Sequence, residues 1–282
     1  MTRKKIGFLG PPGTFTEEAL ISAVEADKSK LVPLTSIQEV IAAVERLEVD
    51  KGIVPIENSI EGSVNATLDM LAFEANLLIE REVVTPVVNN LIGRRGTKRD
   101  RVTTVISHPQ ATAQCRNYIA REFPGANIEA ANSTAEAVKI VAGRQGGEAV
   151  AIGTSLAAKL YGLNVLERKI QDFPDNRTRF VIIGREMPKR TGYDKTSIVC
   201  FIHEDRPGSL LQILQEFAYR SINLTKIQSR PTRKTLGEYC FFLDMEGHVE
   251  DANVAEALKC LRCKIRQVKL LGSYPRARVG KA

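Results

Sequence analysis

Long apolar runs are missing from this sequence of 282 residues. No stretch approaches the roughly 20 consecutive apolar residues that a membrane-spanning helix requires. The basic N-terminus reaches Gly10 and Pro11 after only a few apolar positions, which is too short for the apolar region of a signal peptide. We therefore expect a globular, cytoplasmic protein with no membrane partner.

Clusters typical of metal or nucleic-acid binding are lacking too. The five cysteines are an odd number scattered through apolar patterns, so we expect reduced thiols and no disulfides. Cys260 and Cys263 have no second cysteine pair or histidine cluster, and we expect no metal and no cofactor. The net charge is +7, yet no basic run is interleaved with aromatic residues, so we expect no nucleic-acid partner. A small anionic substrate accounts for the excess charge equally well.

Between residues 4 and 184, short β-branched runs alternate with helical patterns. Runs at residues 6–9, 52–55, 102–106, 126–130 and 149–152 predict strands, with amphipathic helices between them. The alternation indicates an α/β fold on mostly parallel sheets. Three helix starts carry a serine or threonine followed three residues later by glutamate, which predicts capping boxes. The pairs are Thr14 with Glu17, Ser36 with Glu39, and Ser133 with Glu136.

A charged segment with proline and glycine, residues 185–194, interrupts this pattern and predicts a linker. After it, the periodicities change in the order strand, helix, strand, strand, helix, strand. That order predicts a small α+β domain with the ferredoxin-like βαββαβ arrangement. The length and the 43% hydrophobic content allow two domains.

Polar segments follow four predicted strands, at residues 10–17, 55–63, 107–110 and 132–134. Because ligands of open α/β sheets bind where strand ends meet helix N-termini, we expect these segments to border one cleft. The free N–H groups of those helix starts favour a ligand with carboxylates. Residues 10–13 lack the features of a phosphate loop or a dinucleotide fingerprint, and alone they predict only a turn into a capped helix.

Single residues in these segments have two interpretations. Glu57 and Glu61 can be paired carboxylates for acid/base work, but their spacing beside Gly62 is more typical of an exposed loop or helix face. His108 can be a general base, although a histidine with no nearby partner is more typical of a structural residue.

The order and content of the segments resemble the prephenate dehydratase family over nearly the whole chain. The motifs are residues 10–17 (GPPGTFTE), 55–63 (PIENSIEGS), 107–110 (SHPQ), 133–136 (STAE), 151–153 (AIG) and 175–180 (DNRTRF). Residues 206–210 (RPGSL) and 228–231 (QSRP) are similar to the phenylalanine-binding elements of an ACT domain. The resemblance implies decarboxylative dehydration of prephenate to phenylpyruvate in phenylalanine biosynthesis, with feedback by L-phenylalanine.

The resemblance also implies the architecture. We expect a catalytic domain at residues 1–188 that resembles type II periplasmic binding proteins, followed by an ACT domain at residues 195–273. One lobe should comprise about residues 1–80 and 167–188, and the other residues 81–166. No helical segment precedes Ile6, so we expect no fused chorismate mutase.

Site residues follow from the resemblance as well. Thr178 takes the position of the family's catalytic threonine and should assist departure of the hydroxyl, with Glu57 as the expected proton source. Arg179 and helix N-termini should position the two carboxylates. The expected substrate-binding residues are Thr14, Asn58, Ser107, Gln114, Arg179 and Phe180. Asn89 stands where many members of the family have histidine.

For the effector, the resemblance implies a phenylalanine site between the ACT domains of two chains, in a homodimer or homotetramer. The expected effector-binding residues are Gly208, Ser209, Leu210, Asn223, Gln228, Ser229 and Arg230. Gln228 replaces the glutamate that is usual in this motif, which makes feedback control a weaker expectation than catalysis. Two alternatives stay open: an arogenate dehydratase, and a non-enzymatic amino-acid sensor.

Overall fold

The computed structural model describes residues 4–24, 29–203, 206–232 and 238–278. The strands are β1 (Lys4–Leu9), β2 (Ser29–Leu34), β3 (Lys51–Asn58), β4 (Gly62–Ser63), β5 (Leu78–Pro86), β6 (Asn90–Gly93), β7 (Thr104–Ser107), β8 (Asn127–Ala130), β9 (Ala149–Gly153), β10 (Asn164–Glu167), β11 (Arg177–Gly184), β12 (Asp194–Phe201), β13 (Leu224–Pro231), β14 (Tyr239–Glu246) and β15 (Gln267–Pro275). The α-helices are α1 (Phe15–Ala23), α2 (Ile37–Glu45), α3 (Asn65–Asp69), α4 (Pro109–Gln114), α5 (Arg116–Glu122), α6 (Thr134–Gly143), α7 (Ser155–Leu160), α8 (Ser209–Ala218) and α9 (Ala252–Lys264).

The chain forms two compact units. The first comprises Met1–Val64 and Val84–Phe180, and the second comprises Asn65–Val83 and Val181–Ala282. The strands β5 and β11 each contribute residues to both units. These two units differ in extent from the predicted domains and lobes, and the predicted limits stay a prediction.

One sheet has the order β2-β1-β3-β11-β5, with β4 beside β3, and its strands β1 to β4 lie in the first unit. β1 pairs in parallel with β2 and with β3. Leu20 of α1 and Ile41 of α2 are fully buried, as are Phe8 and Ile53 of the strands these helices contact. The apolar stripe of each helix therefore covers the sheet, as the helical periodicity predicted.

The other sheet of the first unit has the order β10-β6-β9-β7-β8. Its two faces are covered by different helices, because successive residues of a strand point to opposite sides. Ile106 and Ala151 pack with α6. Val105 and Val150 pack with α4 and α5 on the other face.

In the second unit, the four strands β13-β14-β12-β15 are antiparallel, and α8 and α9 pack on the sheet around Ile198, Phe217, Leu243 and Leu258. The predicted βαββαβ order and the mixed α/β class are confirmed. Residues 65–83 belong to the same unit, beginning with α3 and a π-helical turn, Met70–Glu74.

Two absences hold for the described ranges. No helix there combines the length and the apolar character that crossing a membrane needs. Those ranges also hold no group of three or more His, Cys, Asp or Glu side chains arranged to bind a metal ion. The predicted cytoplasmic location stays a prediction.

Candidate active site

A cavity of about 760 Å³ lies in the first unit, where the ends of β1, β3 and β11 meet the N-termini of α1, α4 and α6. This is the edge of the sheets at which the polar segments were predicted to meet. The lining residues that carry the chemistry below are Thr14, Asn58, Asn89, Gln114, Lys139 and Thr178.

Two longer helices begin at the cavity with capping boxes in which the glutamate accepts from the N–H of the residue before the N-cap. Thr14 Oγ1 accepts from the Glu17 N–H, and Glu17 Oε2 accepts from the Gly13 N–H at 2.5 Å. At α6, Ser133 Oγ accepts from the Glu136 N–H at 3.0 Å, and the Glu136 carboxylate accepts from the Asn132 N–H at 2.8 Å. The predicted box at Ser36 and Glu39 is present too. These caps fix two positive helix ends beside the cavity, and the exposed Lys139 adds a cation.

The loop before α1 is held by α7 and its cap. Thr154 Oγ1 donates to the Gly13 carbonyl at 2.6 Å, and Tyr161 donates to the Pro12 carbonyl at 3.1 Å. Gly13 has φ +95°, and a Cβ there would lie 2.9 Å from Ala157 Cβ. Only glycine fits this position without strain.

The Thr178 hydroxyl lies at the cavity beside Asn58, whose Nδ2 donates to Thr178 Oγ1 at 2.9 Å. Asn58 Oδ1 accepts from the N–H groups of Ile60 and Glu61 at 2.9 and 3.0 Å. Because a backbone N–H can only donate, these two bonds fix which amide atom is the oxygen. Nδ2 must then face Thr178.

Asn176 joins this pair to Gln114. Its Oδ1 accepts from Asn58 Nδ2 at 2.9 Å, and its Nδ2 donates to Gln114 Oε1 at 3.0 Å. Gln114 Nε2 lies 3.4 Å from Glu61 Oε1. Asn176 is only 1% exposed, so this chain of amides is shielded from water and its directions are well defined.

The network has a consequence for the proton of Thr178. Since Asn58 donates to Thr178 Oγ1, the hydroxyl proton of Thr178 points elsewhere and is available to a ligand in the cavity. A donor to Oγ1 also stabilises negative charge on that oxygen, which makes the hydroxyl a better hydrogen-bond donor.

Glu57 and Arg179 do not line this cavity. They form an ion pair, with Arg179 Nη1 3.3 Å from Glu57 Oε2. Each is next in sequence to a cavity residue, and neighbours along a strand point to opposite faces. The expected roles of Arg179 in positioning substrate carboxylates and of Glu57 in supplying a proton stay predictions.

Ser107 and Phe180 are buried in the structure and lie outside the cavity lining. The Ser107 hydroxyl, with no exposed surface, donates to the Ile152 carbonyl at 2.8 Å. Phe180 is 2% exposed and belongs to the core. The expected substrate contacts of Ser107 and Phe180 stay predictions. His108 caps α4 through Nδ1, which accepts from the Gln110 N–H at 3.3 Å, and its ring borders the cavity.

Arg230, expected to bind the effector, holds the segment before β5. Its Nε and Nη2 each lie 2.7 Å from a carboxylate oxygen of Asp69, and Nη1 donates to Asn65 Oδ1. Asp69 is 3% exposed. Lys195 pairs with Glu82 of β5 at 2.7 Å, and Lys269 donates to the Ala72 and Ala75 carbonyls.

The other expected effector residues lie at three places in the second unit. Gly208, with φ +88°, is the N-cap of α8, and Leu210 packs on the domain core. Asn223, at the end of the loop after α8, is exposed. Gln228 and Ser229 lie in the C-terminal half of β13.

Sequence reasoning did not single out three residues of the site: Asn89 as a contact, Lys139 and Asn176. Asn176 lies inside the 175–180 motif, so its position there was a usable signal. Lys139 follows Glu136 by three residues on α6, which places both near one helix face. Asn89 carried no local signal of its burial in the cavity wall.

Comparison with protein families matches residues 6–188 to "Prephenate dehydratase" and residues 196–262 to "ACT domain". A prephenate dehydratase from Mycolicibacterium vanbaalenii is 43% identical over 285 residues, covering 96% of this chain and 90% of that protein.

Two solved structures are similar over the same extent. A crystal structure of prephenate dehydratase in complex with L-Phe, from Arthrobacter aurescens, has 40% identity and a TM-score of 0.90, covering 97% of this chain and 90% of that chain. GqqA, described as a novel type of quorum quenching acylase, has 29% identity and a TM-score of 0.86, covering 97% and 98%.

Proposed function

Since the chain belongs to the prephenate dehydratase family, we propose that its cavity converts prephenate to phenylpyruvate. The bond from the ring to its carboxylate breaks, and its electron pair completes the aromatic ring as CO₂ leaves. The bond to the 4-hydroxyl breaks in turn, and the departing oxygen takes up one proton, which solvent ultimately supplies, to leave as water. Because the new aromatic ring drives the reaction, the protein has to align the substrate and assist the leaving hydroxyl.

The observation that carries this proposal is the directed hydroxyl of Thr178. Its proton is free to point at a ligand because Asn58 donates to its oxygen at 2.9 Å. In the proposed mechanism, Thr178 donates to the departing hydroxyl, and the Asn58 N–H stabilises the charge that develops on Thr178 Oγ1. Gln114 and Asn176 hold Asn58 in that orientation.

The substrate's two carboxylates would be held by the N-termini of α1 and α6 and by Lys139. A dianion gains most from these groups where water is excluded. The mechanism uses neither Glu57 nor Arg179, because their ion pair lies outside the cavity lining.

The fold alone does not select the reaction. GqqA is named an acylase although it is similar over nearly the whole chain. The sequence relatives named prephenate dehydratase have higher identity. A cavity with positive helix ends and a directed hydroxyl suits a dianion that loses water.

The direct test is to incubate purified protein with prephenate and to follow phenylpyruvate by its absorbance in alkali. A blank without protein at the same pH corrects for spontaneous decay of prephenate. We expect saturable formation of phenylpyruvate above the blank. Binding of prephenate without turnover would instead favour the amino-acid sensor. Steady-state kinetics with prephenate and arogenate then give the preferred substrate as a ratio of kcat/KM values.

We further propose that L-phenylalanine binds the ACT domain and lowers substrate affinity. The relative from Arthrobacter aurescens is named as a complex with L-Phe, which supports this effector. Arg230 belongs to the 228–231 motif and is bound to Asp69, so a ligand near this motif would act on the segment that leads from β4 to β5.

We propose that the effector site is shared between two chains. The ten residues of α8 separate Gly208 and its neighbours from Asn223, and at 1.5 Å per residue the helix is about 15 Å long. One phenylalanine is too short to contact both places in one chain. A second chain that brings its Asn223 to Gly208 of the first would complete the site, which supports a homodimer or a homotetramer.

A further inference from the structure

Asn89 is a buried residue whose side chain has no hydrogen-bond partner among the described residues. It lines the cavity and has 0% exposure, yet both its Oδ1 and its Nδ2 are unpaired. Its backbone is fixed on both sides, because its N–H donates to Gln171 Oε1 at 3.2 Å and its carbonyl accepts from Ile170 at 2.9 Å.

The next residue shows what a structural asparagine does here. Asn90 is also buried, and its Nδ2 donates to the carbonyls of Val88 and Gly153, so that of its two polar atoms only Oδ1 is unpaired. Leaving a buried amide unpaired is unfavourable, and such groups in a native protein need an explanation. An amide that is unpaired at a cavity wall is explained when a ligand supplies its partners.

The position of Asn89 indicates which part of a substrate it meets. The Val87 N–H donates to the Asn176 carbonyl at 2.8 Å, and the Ile170 N–H donates to the Asn89 carbonyl. Residues 87–89 and residues 170–176 therefore run antiparallel to each other. Asn89 lies on one side of the bond between Val87 and Asn176, and Thr178 lies on the other.

In prephenate, the 4-hydroxyl and the three-carbon side chain occupy opposite ends of the ring. The pose considered has the hydroxyl at Thr178 and the side chain toward Asn89, since both residues line one cavity. In prephenate this side chain carries a 2-oxo group and a carboxylate, which only accept hydrogen bonds. In arogenate the oxo group is replaced by an ammonium, which donates.

We propose that Asn89 hydrogen-bonds the group at the 2-position of the substrate side chain. This contact allows the cavity to accept arogenate as well as prephenate. This inference rests on the proposed function. With arogenate, the ammonium donates to Asn89 Oδ1 while Nδ2 donates to the neighbouring carboxylate, so both unpaired atoms gain a partner. With prephenate, only Nδ2 gains one.

The test measures kcat/KM for both substrates in the wild type, Asn89→Leu and Asn89→Asp. Asn89→Leu removes both partners, so we expect the ratio of arogenate to prephenate activity to fall, by about 10-fold. Asn89→Asp keeps an acceptor and adds a negative charge, which attracts ammonium and repels the oxo acid. We expect it to raise the ratio, by about 10-fold or more.

Stability separates this role from a structural one. Asn89→Leu should leave the Tm of the ligand-free protein unchanged or higher, because it removes an unpaired amide. Asn90→Leu, the matched control, should lower the Tm, because it leaves two carbonyls without their donor.

An arogenate-to-prephenate ratio that stays at the wild-type value in both Asn89 variants would overturn the inference. So would a wild type with no measurable arogenate activity. The proposed function fails separately, if wild-type protein forms no phenylpyruvate from prephenate.

Discussion

At the scale of single residues, three side-chain amides determine where the hydroxyl proton of Thr178 points. Asn58 has its oxygen fixed by two backbone N–H groups, so its nitrogen is directed at Asn176 and Thr178. Asn176 accepts one of these bonds through its Oδ1, and its Nδ2 donates in turn to Gln114 Oε1. The hydroxyl of Thr178 therefore has its acceptor side engaged and its donor side open to the cavity.

Replacing Asn176 by aspartate tests this network. While ionised, the introduced carboxylate can only accept, so it loses the bond to Gln114 Oε1. When protonated, it donates again. We expect Asn176→Asp to lower kcat at neutral pH by about 10- to 100-fold and to recover as the pH falls, since burial raises the pKa of a carboxyl.

The control for this variant is thermal unfolding at each pH, which shows that the rates refer to folded protein. A pH profile parallel to that of the wild type would contradict the role of Asn176. The same experiment on Thr178→Val should show no added effect of Asn176→Asp, because both act through one hydroxyl.

The sequence predicted part of this site at the level of residues. Thr14, Asn58, Gln114 and Thr178 were expected to bind or act on substrate, and they line the cavity, although their roles stay predictions. Glu57 and Arg179 were adjacent in sequence to cavity residues, but strand alternation directs them elsewhere. Asn89 stood out only as a departure from the family, and its role as a cavity contact was not predicted, because an unpaired buried amide is a property of the folded environment.

At the scale of elements, the three capping boxes were predictable because both partners lie within four residues of each other. The close packing of Gly13 against α7 was not, since Ala157 is distant in sequence. Strands such as β2, β5 and β6 were also not predicted. Val83 in β5 and Leu91 in β6 are buried by contacts that no local pattern specifies.

Gly13→Ala tests the packing of this loop. The new Cβ would meet Ala157 Cβ at 2.9 Å and Ala157 Cα at 3.0 Å, at a φ of +95°. We expect the free energy of unfolding to fall by about 2–4 kcal/mol. The matched control is Gly96→Ala, whose φ of +83° carries the same strain but whose Cβ meets nothing within 4 Å. It should lose only about 1–2 kcal/mol, and equal losses in urea unfolding would refute the packing argument.

The segment of residues 65–83 is an element whose attachment carries the proposed regulation. Its Asp69 and Glu82 are similarly buried, and each pairs with one cation of the second unit. Asp69 binds Arg230, in the strand that carries the 228–231 motif. We therefore expect Asp69→Asn to reduce the effect of phenylalanine on substrate affinity by about 5-fold or more, a coupling of about 1 kcal/mol.

Glu82→Gln is the control for that variant, because it weakens a buried pair without touching the motif. Both variants should lose stability to a similar extent. Calorimetry should show that each still binds phenylalanine. If the two variants responded equally to phenylalanine in the kinetics, the proposed route through Asp69 would be excluded.

At the scale of the whole molecule, the order of elements was predictable, and the grouping of the segment of residues 65–83 was not. The βαββαβ order follows from local periodicity. The placement of that segment depends on long-range contacts such as those of Lys195 and Lys269. Those lysines had no visible partner in the sequence.

The proposed shared effector site predicts an oligomer. Sedimentation velocity should show a dimer or a larger species, with or without phenylalanine. By reciprocity, prephenate should weaken phenylalanine binding by the same factor by which phenylalanine weakens prephenate binding. A monomer under both conditions would remove the shared site.

The most direct measurement of the central claim is the turnover of prephenate by Thr178→Val and Thr178→Ser beside the wild type. Valine keeps the shape of threonine and removes the hydroxyl that Asn58 directs at the cavity. We expect Thr178→Val to lower kcat by about 100- to 1,000-fold with little change in KM, and Thr178→Ser to retain most of the activity. A Thr178→Val variant that keeps the wild-type kcat would contradict the account.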